Sequence, residues 1–116
     1  MNPIFIEAKR LLRDRRVTLL RLAGDETVAS SEIRTQAARE PRDETSIRAS
    51  EALLLRLSES HRVDVAQIDA ALTRIEAGTY GECESCGHAI GRQRLRAIPE
   101  ARLCVTCRSL RSPEQP

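Results

Sequence analysis

The chain has 116 residues and a net charge of +2. That length allows one ordinary domain or two very small ones and no elaborate enzyme core, and so small a net charge does not make nucleic-acid binding a whole-molecule property. One Phe, one Tyr and no Trp leave few large side chains for a wide interior; the remaining Leu, Ile, Val and Ala suit narrow seams between helices.

Charge is unevenly placed along the chain. Six basic groups stand against two acidic ones in residues 1–24 and six against three in 83–116, whereas 25–51 holds four against seven and 52–82 three against five. The ends are basic and the middle acidic. No stretch approaches the roughly 18 apolar residues of a membrane span, and the opening MNPIFIEAKR lacks the basic then apolar order of a signal peptide. The expectation is a cytoplasmic chain with no membrane partner.

From Ile4 to Leu22, Phe5, Ala8, Leu12, Leu19 and Leu22 fall on three-four spacing interrupted at Arg15, which predicts a helix. Gly24-Asp25 weakens the pattern, and Ala29, Ile33 and Ala37 resume it poorly, so the first helix is expected to be interrupted there. Periodicity stops at Glu40-Pro41-Arg42-Asp43-Glu44-Thr45. Pro41 disfavours helix at Glu40, and Asp43 or Thr45 can cap a second helix. That second helix is the clearest segment of the chain: Ile47, Ser50, Leu54, Leu57, His61, Asp64, Ile68, Ala71 and Ile75 alternate spacings of three and four, a coiled-coil seam.

A helix from Ser46 to Ala77 would be roughly 48 Å long and needs a partner. Residues 4–22, folded back antiparallel, are the obvious one. His61 and Asp64 then form a polar break that sets register rather than a catalytic pair. Gly78 ends the helix. The expected fold is all-α, an antiparallel helical hairpin over residues 1–78 with its tip near 40–45, a small four-Cys module over 79–111 with a short C-terminal helix, and a flexible tail at 112–116.

Cys83-x2-Cys86, seventeen intervening residues and Cys104-x2-Cys107 use all four cysteines, the spacing of a tetrahedral thiolate zinc site. Disulfides fit poorly in a reducing compartment, and no βαβ pattern surrounds a thioredoxin-like pair. Four cysteines close the shell around one structural zinc, which leaves His88 as an exposed turn residue and no open metal position for chemistry. Residues 79–111 are too short and too polar to fold alone; zinc supplies a term of roughly 10–16 kcal/mol in comparable peptides. With no paired nucleophile and base and no phosphate loop, the expectation is not an enzyme.

GTYGECESCGHAIGRQRLRAIPEARLCVTCRSL resembles the zinc finger of the DksA/TraR family, bacterial proteins that act on RNA polymerase. The resemblance implies a helical hairpin that enters the polymerase secondary channel and places an acidic tip near the active centre, altering initiation without sequence-specific DNA binding. The family tip has the form D-P-x-D-x-A. Here Glu40-Pro41-Arg42-Asp43-Glu44-Thr45 occupies the corresponding place, which makes Asp43 the first candidate, Glu40 the second, and Thr45 a departure from Ala. Some members respond to guanosine tetraphosphate through basic side chains. At the matching positions this chain has Gln67 and Ile98, and only Arg108 keeps its charge, which implies a weak response.

Two other readings stay open. The spacer also matches GATA-type fingers, and Arg92, Arg94 and Arg96 alternate as if on one face of a strand, a pattern for phosphate contacts; the Trp and long basic tail usual in such fingers are missing. A redox-responsive zinc adaptor is the third, because oxidised thiolates release metal. A monomer bound to RNA polymerase is the leading expectation.

Overall fold

The computed structural model describes residues 2–40 and 43–111. Pro41 and Arg42 of the expected tip, and the expected tail at 112–116, lie outside the described residues. Among the described residues four helices occur in order: α1 (Pro3–Arg39), α2 (Glu44–Ala77), α3 (Arg92–Ala97) and α4 (Val105–Ser109). No strand occurs among the described residues, only an isolated bridge between Glu82 and Ala89. The fold is all-α, an antiparallel pair of long helices with a small four-Cys module.

Contacts divide the chain into two units, one formed by the described residues up to Asp14 together with those from Gln67 onward, the other by Arg15–Ala66. In the first unit, α1 begins where Asn2 Oδ1 accepts the Ile4 N–H at 2.9 Å. Pro3 sits at the first helical position, where its missing N–H costs nothing and its φ is already helical. Ala8 and Leu12 of α1 are buried with Ile68, Ala71 and Ile75 of α2, and Lys9 Nζ donates to Glu76 Oε1 at 2.9 Å. α2 stops at Gly78, whose φ of 79° places it in the left-handed region open to glycine. Its N–H donates to Ile75 O at 3.2 Å and the Thr79 N–H reaches back to Arg74 O at 2.9 Å, the paired closure that satisfies the last helical carbonyls.

In the second unit, α1 runs unbroken through Gly24, which corrects the expected interruption. One glycine costs a helix interior only about 1 kcal/mol, and Ala23 before it and Ser30 beyond it are buried, so packing on either side carries the helix across. The seam also departs from a strict heptad. Ser50 is exposed and Leu57 is 42 % exposed, while Ser58 and Val65 are buried; on α1, Leu22 is exposed and Ala23 takes the inner position. A straight helix drifts by about 20° per heptad against a 3.5-residue repeat, so the inward stripe passes from one column of side chains to its neighbour.

Polar groups fill the middle of this seam. Ser58 Oγ donates to Ala23 O at 3.0 Å and lies 3.0 Å from Thr27 Oγ1, which itself donates to the same carbonyl at 2.9 Å. His61 is part of a polar break, as expected, but reaches across to Glu26, Nδ1 to Oε1 at 2.8 Å. Toward the turn, Arg34 is held by Glu44 at 2.9 Å and by Glu51. Hydrogen bonds from Arg34 and then Arg48 hold the Glu44 carboxyl below the usual carboxylate range.

Candidate metal centre and acidic turn

The cysteine module is built from two short turns brought together by backbone hydrogen bonds. In the first, the Gly87 N–H donates to Cys83 O at 2.9 Å and the Cys83 N–H to His88 O at 2.8 Å; Gly87 has φ 77°, in the left-handed region open to glycine. In the second, Cys104 stands at the N-cap of α4 and its sulfur accepts the Cys107 N–H at 3.5 Å. The Glu84 N–H donates to Arg102 O at 2.9 Å, so the two turns face each other. Beneath them Cys83, Ile90, Ala101 and Leu103 form the buried core, with Leu95, Cys104 and Cys107 packed against it.

The four sulfurs of Cys83, Cys86, Cys104 and Cys107 all lie within 4.8 Å of one another, and Cys86 Sγ is 3.8 Å from Cys104 Sγ. A tetrahedral site with Zn–S bonds of about 2.3 Å requires sulfurs about 3.8 Å apart. The donor set therefore fits one structural zinc ion held by four thiolates. Electrostatics point the same way: the Cys104 backbone N–H, with smaller help from Cys86 and Ser85, holds the Cys83 thiol down at about 6. Side-chain hydrogen bonds with Cys104 and then Cys83 push Cys107 up to about 12. Four thiols so crowded cannot all ionise on their own, and a divalent cation removes the conflict. His88 is exposed and outside the sulfur cluster.

Two residues that sequence reasoning passed over tie the module to the helix end. Tyr80 donates its hydroxyl to Pro99 O at 2.8 Å and sets its ring edge-on to Phe5, with centroids 5.7 Å apart. Arg74 reaches the carbonyls of Glu100 and Ala101, both at 3.4 Å, and Glu84 Oε1 at 3.5 Å. The lone Tyr just after the helix stop was the available signal for the first. Arg74 had none, because its main partners are backbone carbonyls more than twenty positions away.

The expected strand of arginines is the helix α3. On a helix, residues two apart point in different directions, so Arg92, Arg94 and Arg96 do not share one face: Arg94 turns inward and donates Nε to Leu103 O at 3.0 Å. Gln67, Ile98 and Arg108, separated in sequence, do line one concavity of about 260 Å³ together with Arg94 and Arg102. Arg94 is engaged by Leu103 O and Arg102 by Glu84 at 2.9 Å.

At the turn, Glu40, Asp43 and Thr45 are exposed. Asp43 caps α2: Oδ1 accepts the Thr45 N–H at 3.1 Å, Oδ2 accepts the Ser46 hydroxyl at 3.3 Å, and its carbonyl accepts the Ile47 N–H at 3.1 Å.

Residues 78–112 match the prokaryotic dksA/traR C4-type zinc finger. The zinc module belongs to the DksA/TraR family. Relatives named RNA polymerase-binding transcription factor DksA include one from Caulobacter vibrioides, 39 % identical over 80 residues, covering 69 % of this chain and 56 % of the relative. Another, from Escherichia coli strain K12, is 34 % identical over 91 residues, covering 78 % and 60 %. The chain thus spans somewhat over half the length of these curated relatives. Among solved structures, transcription factor DksA2 from Pseudomonas aeruginosa superposes with a TM-score of 0.78 at 28 % identity, over 91 % of this chain and 81 % of that one. The DksA/TraR finger is thus set on helices that share the DksA2 fold. No helix among the described residues is long and apolar enough to cross a membrane.

Proposed function

We propose that this chain is a non-enzymatic, cytoplasmic regulator that binds bacterial RNA polymerase through its secondary channel and modulates initiation with the acidic turn at 40–45. The observation that carries the reading is the joint one: a DksA/TraR finger on a fold that matches DksA2 over 91 % of the chain. The exposed carboxylates of Glu40 and Asp43 support it. A carboxylate delivered into a narrow channel lined by basic groups and metal acts in a low-dielectric setting, where its field is stronger than in water.

Asp43→Asn separates this role from capping. Asn caps a helix about as well as Asp, so the variant keeps α2 intact and removes only the charge. It should bind core polymerase as the parent does and lose most of its effect in multi-round transcription; equal activity would remove Asp43 from the mechanism. Pull-down of core polymerase should be lost when a competitor fills the secondary channel, and binding that persists unchanged would place the contact elsewhere. With Gln67 and Ile98 in the concavity that Arg108 lines, guanosine tetraphosphate should add little to the transcription effect, measured with and without the nucleotide.

A further inference from the structure

The first turns of α1 and the helix α3 enclose a groove of about 120 Å³, close to the roughly 150 Å³ that accommodates one benzene-sized group in an apolar cavity. Its floor is apolar: Ala8 and Leu11 from α1, Tyr80, and Leu95 from α3. Arg92 and Arg96 line its α3 side. They are four residues apart, hence neighbours on one helix face with Cβ atoms about 5–6 Å apart. Both are exposed, and among the described residues neither has an acidic partner, in contrast to Lys9, Arg34 and Arg102. Glu7 stands on the α1 side, so the rim carries two cations and one anion. Leu95 packs α3 against the buried core and Arg94 ties it to Leu103 O; Arg92 and Arg96 take no part in either anchor and line the groove with exposed guanidinium groups.

We propose that this groove docks an acidic peptide segment of a partner protein, with one apolar side chain seated on Leu11, Tyr80 and Leu95 and carboxylates paired to Arg92 and Arg96. Guanidinium groups bind carboxylates in a bidentate fork, and their aliphatic stems add to the apolar wall. A peptide fits better than a nucleic acid. Two arginines opposed by a glutamate are a poor track for phosphates, whereas an apolar floor the size of one side chain is what a peptide anchor needs. The inference does not depend on the polymerase reading, and its test contains no polymerase.

The test uses the zinc-loaded full chain and a fluorescein-labelled helical peptide with one Leu flanked by Glu at four-residue spacing. Saturable binding by anisotropy is expected, weakening with salt, with amide shifts centred on Ala8, Leu11 and Leu95. R92E/R96E, and a peptide with Leu replaced by Ala, should each weaken it by about tenfold or more, the equivalent of about 1.4 kcal/mol. Unchanged zinc content shows that the variant folds, and the milder R92Q/R96Q serves if it does not. Absence of saturable binding, indifference to both double variants, equal binding of a Glu-to-Gln peptide, or preference for an oligothymidylate over the peptide would each overturn the proposal.

Discussion

The two units of this chain solve the problem of a small interior in opposite ways. Among the described residues, thirteen apolar side chains are buried, and only Ala23, Ile47 and Val65 of them fall between Arg15 and Ala66; the other ten belong to the unit that contains the cysteines. Large exposed apolar side chains show the reverse, with eight of twelve, among them Leu53, Leu55 and Leu57, in the first of these stretches. Residues 15–66 are held by a thin seam, cross-helix hydroxyls and the Arg34 pairs, on helices whose backbone bonds are local. The cysteine unit has little regular structure beyond the helix ends and relies on long-range contacts that a metal can fix. A two-helix seam buries little of its apolar surface, whereas the cysteine module gathers Cys83, Ile90, Ala101 and Leu103 into a buried core and still leaves Ile98, Val105 and Leu110 exposed.

The largest effect expected from this contrast is unequal loss on metal removal. Chelation should withdraw a term of roughly 10–16 kcal/mol from the cysteine unit alone, and Cys83→Ser, which removes one of the four ligands, a part of it. Amide spectra of residues 79–111 should collapse while those of 15–66 retain helical dispersion; simultaneous loss of both would break the distinction. Next in size is the seam. Ile68→Ala, at a fully buried position, should cost about 2–5 kcal/mol in urea unfolding monitored by helical circular dichroism, whereas Leu57→Ala should cost about 1 kcal/mol or less. Equal costs would restore the strict heptad.

Tyr80 provides a pH test within the cysteine unit. Burial is the main cause that pushes its phenol from 10.0 up to about 12. The folded state therefore favours the neutral form, and that stability is fully present below about pH 10 and lost as pH rises through about 12. The chain has one Tyr and no Trp, so phenolate absorbance reports this group alone; a midpoint near 10 in the native protein would contradict its burial. The smallest effect belongs to Gly24→Ala. A Cβ there meets no atom within 4 Å, and the variant should gain about 1 kcal/mol, read as a higher urea midpoint.

The sequence made the contrast partly legible. Cysteine spacing names a metal site because coordination number and ligand softness leave few alternatives, and the four sulfurs are indeed gathered. Gly78 was readable as a stop, since a left-handed residue is needed to close a helix. Periodicity found both long helices but placed Leu57 and Leu22 inside, where the structure buries Ser58 and Ala23. A one-column shift depends on helix drift and on the partner's side-chain sizes, neither of which a single pattern records. Arg74 and Arg94 were illegible for another reason: their acceptors include main-chain carbonyls, which every residue has and no letter of the sequence advertises.

The cap at Asp43 sets a condition on anything that approaches the turn. Each oxygen of that carboxylate accepts one donor, the Thr45 amide on one and the Ser46 hydroxyl on the other, a cap usually worth about 1 kcal/mol. Each oxygen keeps a further lone pair, so an outside group can take the negative charge while the cap stays in place, but only from the directions that the two donors leave open. The helix end thereby aims the charge: the cap that starts α2 also fixes the bearing from which Asp43 can be met.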